Sequence, residues 1–185
     1  MTNIFRLIFG FSFLVLFITI SCNVYAQDKV RLSPKAAVIQ TIGFTDVRID
    51  YNRPGVKGRV IWGGLVPFNK VWRAGANEAT KFTFLGDVKI NGKFVKAGSY
   101  SFFTIPTKDN WTLIFNKVAD QWGAFEYNEA EDLMRFEVAP NEGNMQEWLA
   151  YTITKTSEYT AIIQLEWENL VIPFTIEALE KKSEK

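Results

Sequence analysis

Hydrophobic and polar positions alternate with a period of two along most of this chain, the signature of strands with one buried face. Val47, Ile49 and Tyr51 point one way while Asp46, Arg48 and Asp50 point the other, and Ala36, Val38 and Gln40 alternate with Ala37, Ile39 and Thr41 on the far side of Gly43. This predicts an opening hairpin. Phe82 and Phe84 share a face of the next strand, and Val88 to Ile90 leads into Asn91-Gly92, the strongest short hairpin signal, with Phe94 and Val95 beginning the return. Further strands are predicted at 100–105, 111–115, 133–138, 148–154, 159–167 and 170–176, the last two joined as a hairpin through Glu168-Asn169. About nine short strands without an amphipathic helix predict an all-β, single-domain antiparallel β-sandwich, with a β-barrel as the alternative.

Two segments break the alternation. Asp50 to Thr80 is interleaved with five glycines, Gly55, Gly58, Gly63, Gly64 and Gly75, and it holds Arg53, Arg59, Trp62, Trp72, Arg73, Asn77 and Glu78. Asn116 to Asn128 contains Gln121-Trp122-Gly123-Ala124. Loops held by a rigid scaffold are where binding groups concentrate, so Arg53, Trp62, Trp72, Arg73, Asn77, Glu78 and Trp122 are the candidate ligand-binding residues. Trp111, Trp148 and Trp167, by contrast, fall within strands and are expected to pack on the core or a sheet face.

The first residues change the cellular setting. One basic residue, Arg6, precedes an apolar run from Leu7 to Ile20 and a small-residue exit at Val24-Tyr25-Ala26. That order predicts a signal peptide over residues 1–26, too short in its apolar run for a membrane span, and so an exported, periplasmic or envelope protein. Cys22 offers a rival, lipoprotein processing, but Thr19 stands where an aliphatic residue is usual. The expected organisation is leader, one β-sandwich domain over 27–179, and a charged tail over 180–185.

Composition then removes whole classes of chemistry. The chain has 21 Lys and Arg against 20 Asp and Glu, and loss of Arg6 leaves the mature part formally neutral, which argues against nucleic acid as a partner. It has no histidine, and its one cysteine lies in the leader. Ser-His-Asp and Cys-His machinery, disulfides, and metal sites built on His or Cys are therefore excluded from the mature chain. Carboxylates, Lys, Arg, Tyr, Ser and Thr remain. No cofactor is expected, and no metal, since the acids from Glu126 to Asp132 lack the ordered spacing of a calcium loop.

Ser33-Pro34-Lys35-Ala36, Asp50-Tyr51-Asn52-Arg53-Pro54, Lys57-Gly58-Arg59, Gly63-Gly64-Leu65-Val66-Pro67, the block from Val71 to Thr80, Ala97-Gly98-Ser99-Tyr100 and Gln121-Trp122-Gly123 together resemble the bacterial domain of unknown function 2911. The resemblance implies an exported bacterial protein with a β-rich fold. It implies no activity.

The residues themselves leave three functions open. Arg73, Asn77 and Glu78 can clamp a polar ligand while a loop indole stacks on a sugar ring, which makes the chain a binding module for a small polar ligand or glycan fragment. Asp50 or Glu78 with Arg73 can serve a histidine-independent hydrolase or lyase, provided one carboxyl has a raised pKa. In a purely structural envelope protein, Arg73 and Glu78 would pair with each other, or with Asp50, and the aromatics would pack.

Overall fold

The computed structural model describes residues 30–179. The predicted leader, Cys22 and the 180–185 tail lie outside them. Ten strands follow in order: β1 (Lys35–Ile42), β2 (Thr45–Asn52), β3 (Thr80–Phe84), β4 (Val88–Ile90), β5 (Lys93–Val95), β6 (Gly98–Pro106), β7 (Trp111–Asn116), β8 (Asp132–Val138), β9 (Asn141–Lys155) and β10 (Thr160–Ala178). They form a six-stranded sheet, β1-β2-β3-β6-β7-β8, and a four-stranded sheet, β5-β4-β10-β9. Every pairing is antiparallel. Neither sheet closes on itself, so the architecture is the sandwich and not the barrel.

The opening hairpin forms as the alternation predicts, with Ile42 opposite Thr45 and Gly43 at φ +54° in the turn. Asn91 and Gly92 have φ values of +47° and +78°, the paired left-handed conformation of a type I′ turn, and Ile90 faces Lys93 across it. The C-terminal hairpin does not form. Glu168-Asn169 is a bulge inside one continuous 19-residue strand, with register shifts on both sides of Glu168. Glu168 sits at φ +56°, and its carboxylate accepts hydrogen bonds from the Trp62 indole (3.1 Å) and the Asn169 backbone (3.0 Å). Those two donors hold the unusual backbone that a two-residue turn would otherwise have used. The strand predicted at 148–154 is likewise longer, because β9 begins at Asn141 to follow β10.

The inner faces meet in an aromatic core. Phe102 stacks on Phe174 with centroids 5.7 Å apart, Phe82 meets Phe174 at 6.0 Å, and Tyr51 meets Tyr151 edge-on at 4.9 Å, each a contact between the two sheets. Such pairs contribute about 0.5–1.5 kcal/mol beyond the area they bury. The glycine-rich segment from residue 53 to 79 closes one end of this core as an apolar plug. Val56, Ile61, Val66, Trp72 and Ala74 are buried, and Trp72 exchanges backbone hydrogen bonds with Thr104 (2.7 and 2.8 Å). Trp62, Trp72, Trp111 and Trp167 gather there, Trp62 lying 4.7 Å from Trp111 and 5.6 Å from Trp167.

The outer face of the six-stranded sheet is also partly covered. Ser101, Phe102, Phe103 and Thr104 are buried in succession, which a sheet wet on one side would not allow. The cover is the segment following β7. It brings Ala124 and Tyr127 over Phe103 and Ile114, and ends in a 3₁₀ turn at Glu129–Glu131 capped by the Asn128 side chain.

Candidate functional site

A cleft of about 600 Å³ opens where this cover segment meets the outer face of β1, β2 and β3. Lys35, Arg48, Asp50, Asn52, Glu78 and Lys81 line one side, and Asp120, Gln121, Trp122 and Glu126 the other. The two walls are stitched by backbone hydrogen bonds, Ala79 N to Gln121 O (2.9 Å) and Gly123 N to Asn77 O (3.0 Å). Glu78 and Trp122 are thereby directly opposite as a non-hydrogen-bonded antiparallel pair, the geometry in which facing side chains come closest.

Each wall owes its position to local chemistry. Asn77 adopts φ +55°, a left-handed conformation that asparagine tolerates, and turns the chain between the buried Ala76 and the cleft. Its side chain donates to Ser33 O (3.3 Å). On the opposite wall, the buried amide of Gln121 donates to Ser101 Oγ (3.1 Å), Asn116 Oδ1 (3.2 Å) and Val118 O (2.8 Å). Asn116 in turn donates to Asn128 O and Asp132, both at 2.9 Å, and Tyr127 donates to Asp132 at 2.7 Å. Burial, and then that bond to Asp132, pushes the Tyr127 phenol up to about 12. This polar network carries Trp122 on a fixed support while leaving its side of the cleft open: Trp122 is 58% exposed.

Glu78 carries the strongest electrostatics in the cleft. Arg31 Nη1 donates to both its carboxylate oxygens (2.9 and 2.6 Å), Asn52 Nδ2 donates at 3.0 Å, and Lys35 Nζ lies 3.3 Å away. The Arg31 bond is the main reason that its pKa falls to about 2, with Lys35 adding to it against the opposing effect of burial. The other charges pair within the wall. Arg48 forks onto Asp50 (2.7 and 2.5 Å), and Lys81 reaches Asp120 at 2.8 Å.

The family model described as "Protein of unknown function (DUF2911)" matches residues 33–176, from just before β1 to near the end of β10. The chain belongs to this family. No curated protein and no solved structure matches it.

In this DUF2911 chain the residues anticipated from the loops divide by position. Glu78 and Trp122 line the cleft, and Asn77 stands directly behind its wall. Arg53 is elsewhere, donating to the Leu149 (2.8 Å) and Trp148 (3.3 Å) carbonyls and tying the plug to β9. Trp62 and Trp72 belong to the indole cluster of the core, because burying large rings at the open end of the sandwich outweighs leaving them on a loop surface. Trp148, expected on the core or a sheet face, lies on β9 with 36% exposure and Lys57 Nζ 5.4 Å above its ring. Arg73 pairs with neither Glu78 nor Asp50. It is half-buried behind the Trp122 turn, where a Cβ on Gly123 would lie 3.7 Å from its Nη1, and desolvation lowers its pKa.

Several cleft residues carried no loop signal. Lys81 sits at an outward strand position, where polar side chains are ordinary, and Asn52, which falls in the irregular segment by sequence, is the last residue of β2. Gln121 and its partners Ser101 and Asn116 could have been suspected, since a polar residue set within runs such as Tyr-Ser-Phe-Phe and Ile-Phe-Asn must find a buried partner. Among the described residues, no group of three or more Asp, Glu, His or Cys side chains is placed to hold a metal ion.

Proposed function

We propose that the protein is an exported binding module that takes a small polar ligand, a glycan fragment being the class that fits, in the cleft between Glu78 and Trp122. The observation that carries this reading is Trp122 itself. A large indole held on a hydrogen-bonded support and left more than half exposed offers a flat apolar face in a cleft that ionic and amide side chains also line. An aromatic face beside fixed polar groups is what a sugar ring, with its apolar face and hydroxyl rim, requires. The volume of about 600 Å³ lies within the range of small-molecule sites.

Glu78 favours binding over acid catalysis. A carboxyl with a pKa near 2 is a permanent acceptor at neutral pH and has no proton to give a leaving group. Export is supported by the leader-like order of residues 1–26.

The test is titration of a panel of oligosaccharides, followed by calorimetry and by tryptophan emission. At least one member should bind wild-type protein, and Trp122→Ala should lose that binding with an unchanged melting temperature. A panel that gives no heat and no emission change, or a Trp122→Ala variant that binds as well as wild type, would overturn the reading.

A further inference from the structure

Resting on the cleft as a ligand site, we infer that its occupant carries a cationic group, ammonium or guanidinium, and that Arg31 is the intramolecular stand-in for that group. Arg31 lies 47 positions from Glu78 in the chain, yet one of its nitrogens meets three acceptors at once: both Glu78 oxygens and Asn52 Oδ1, the last at 3.4 Å. Three oxygens converging on one N–H group form a cation subsite. Its far member is fixed in the fold, since Asn52 is a buried side chain of β2.

The charge of the cleft points the same way. Without Arg31 the lining has four carboxylates, Asp50, Glu78, Asp120 and Glu126, against three cations, Lys35, Arg48 and Lys81. Arg48 and Lys81 are already spent on Asp50 and Asp120. Lys35 faces Glu78 from 3.3 Å with its side chain 63% exposed, so without Arg31 the lining as a whole carries one net negative charge, that of Glu126. Trp122, the backbone neighbour of Glu78 and 58% exposed, lines the same cleft, and an indole is a side chain that accepts a cation over its face.

Arg31 is suited to being displaced. Its side chain is 41% exposed, and the next residue, Leu32, is 81% exposed. Exposed ion pairs of this kind contribute little to stability and are readily exchanged for an equivalent partner. A ligand cation would therefore take the place of Arg31 against Glu78 while its uncharged part lies along Trp122.

The experiment compares wild type, Arg31→Gln and Arg31→Gln/Glu78→Gln, with agmatine, glucosamine and glucose as probes, read by calorimetry and tryptophan emission. Arg31→Gln should bind at least one of the two cationic probes about tenfold more tightly than wild type, with glucose unchanged, and the double variant should lose the gain. Agmatine responding alone assigns an extended aliphatic cation, and glucosamine alone an amino sugar. The readout is a gain of affinity, which misfolding cannot imitate. Glucose matching glucosamine in Arg31→Gln, no gain for either cationic probe, or a gain that survives Glu78→Gln would overturn the cationic occupant. None of these outcomes touches the cleft as a polar-ligand site, which stands or falls on Trp122→Ala.

Discussion

Glu78 and Trp122, 44 positions apart, are locked side by side by two backbone hydrogen bonds of 2.9 and 3.0 Å that flank them. A carboxylate and an indole brought together in this way cannot drift independently, because moving either strand breaks the bonds that hold both. The relationship makes the cleft a preformed feature of the fold and gives its two walls a shared fate under perturbation.

Acid should remove the small contribution that this exposed pairing makes to stability. The pKa of Glu78 is about 2 in the folded protein against 4.5 for the unperturbed group. A depressed carboxyl pKa contributes stability that is fully present above the unfolded value and is lost as pH falls through the folded one. The contribution of Glu78 is therefore present above about pH 4.5 and disappears between there and about pH 2. Urea denaturation across that window should show a falling midpoint for wild type and a shallower fall for Glu78→Gln. Added salt should reduce the difference, since the Arg31 and Lys35 partners are solvent-exposed. Superimposable pH curves for the two proteins would mean that the Arg31 pairing does not persist in solution.

Gly92 tests the β4–β5 turn through backbone conformation alone. It has φ +78°, and a Cβ placed on it would meet nothing within 4 Å, so any cost of substitution is conformational and not steric. Gly92→Val should destabilise the protein by about 1 kcal/mol or more, and Gly92→Asn by clearly less, because asparagine tolerates the left-handed region. Chemical denaturation of the pair measures this, and equal stabilities would contradict the type I′ geometry.

Arg73 should be dispensable for folding. Its Nε is buried without a hydrogen-bond partner, it makes no ion pair among the described residues, and desolvation disfavours its charge. A guanidinium in that position gains little from its setting, so Arg73→Met, which keeps much of the alkyl stem, should stay within about 1 kcal/mol of wild type or exceed it. A loss well beyond that would show that the guanidinium has a strong partner in solution.

How far the chain could be read from its residues differs by element. Val47, Ile49 and Tyr51 in β2, and Phe82 and Phe84 in β3, reveal their strands because a half-buried strand writes its pleat into alternation. Asn91-Gly92 reveals its turn because few residue pairs accept two positive φ values. Glu168-Asn169 misleads because a polar pair between hydrophobic runs reads as a turn, and what makes it a bulge is the indole of Trp62, 106 positions away. Trp62 and Trp72 mislead for the same reason: a loop that plugs the end of a sandwich looks locally like any glycine-rich loop. Glu78 and Trp122 were legible as members of irregular segments. The cleft between them was not, because it needs residues such as Lys81, whose outward strand position says nothing about what lies above it, and the contact of two segments far apart in the chain.

The bulge at Glu168 has a consequence in time. Because β10 runs on without turning back, its last residues pair with β4, Ile176 opposite Ile90, while its first pair with β9, Ala161 opposite Lys155. The short β4–β5 hairpin thus has no neighbour in its sheet until a strand some eighty-six positions later is available. Chains dominated by such distant pairings fold slowly, since the entropy of closing the loop is lost before the contacts form. A nascent chain of this design stays open, with half of its sandwich unassembled, until almost all of it has been made.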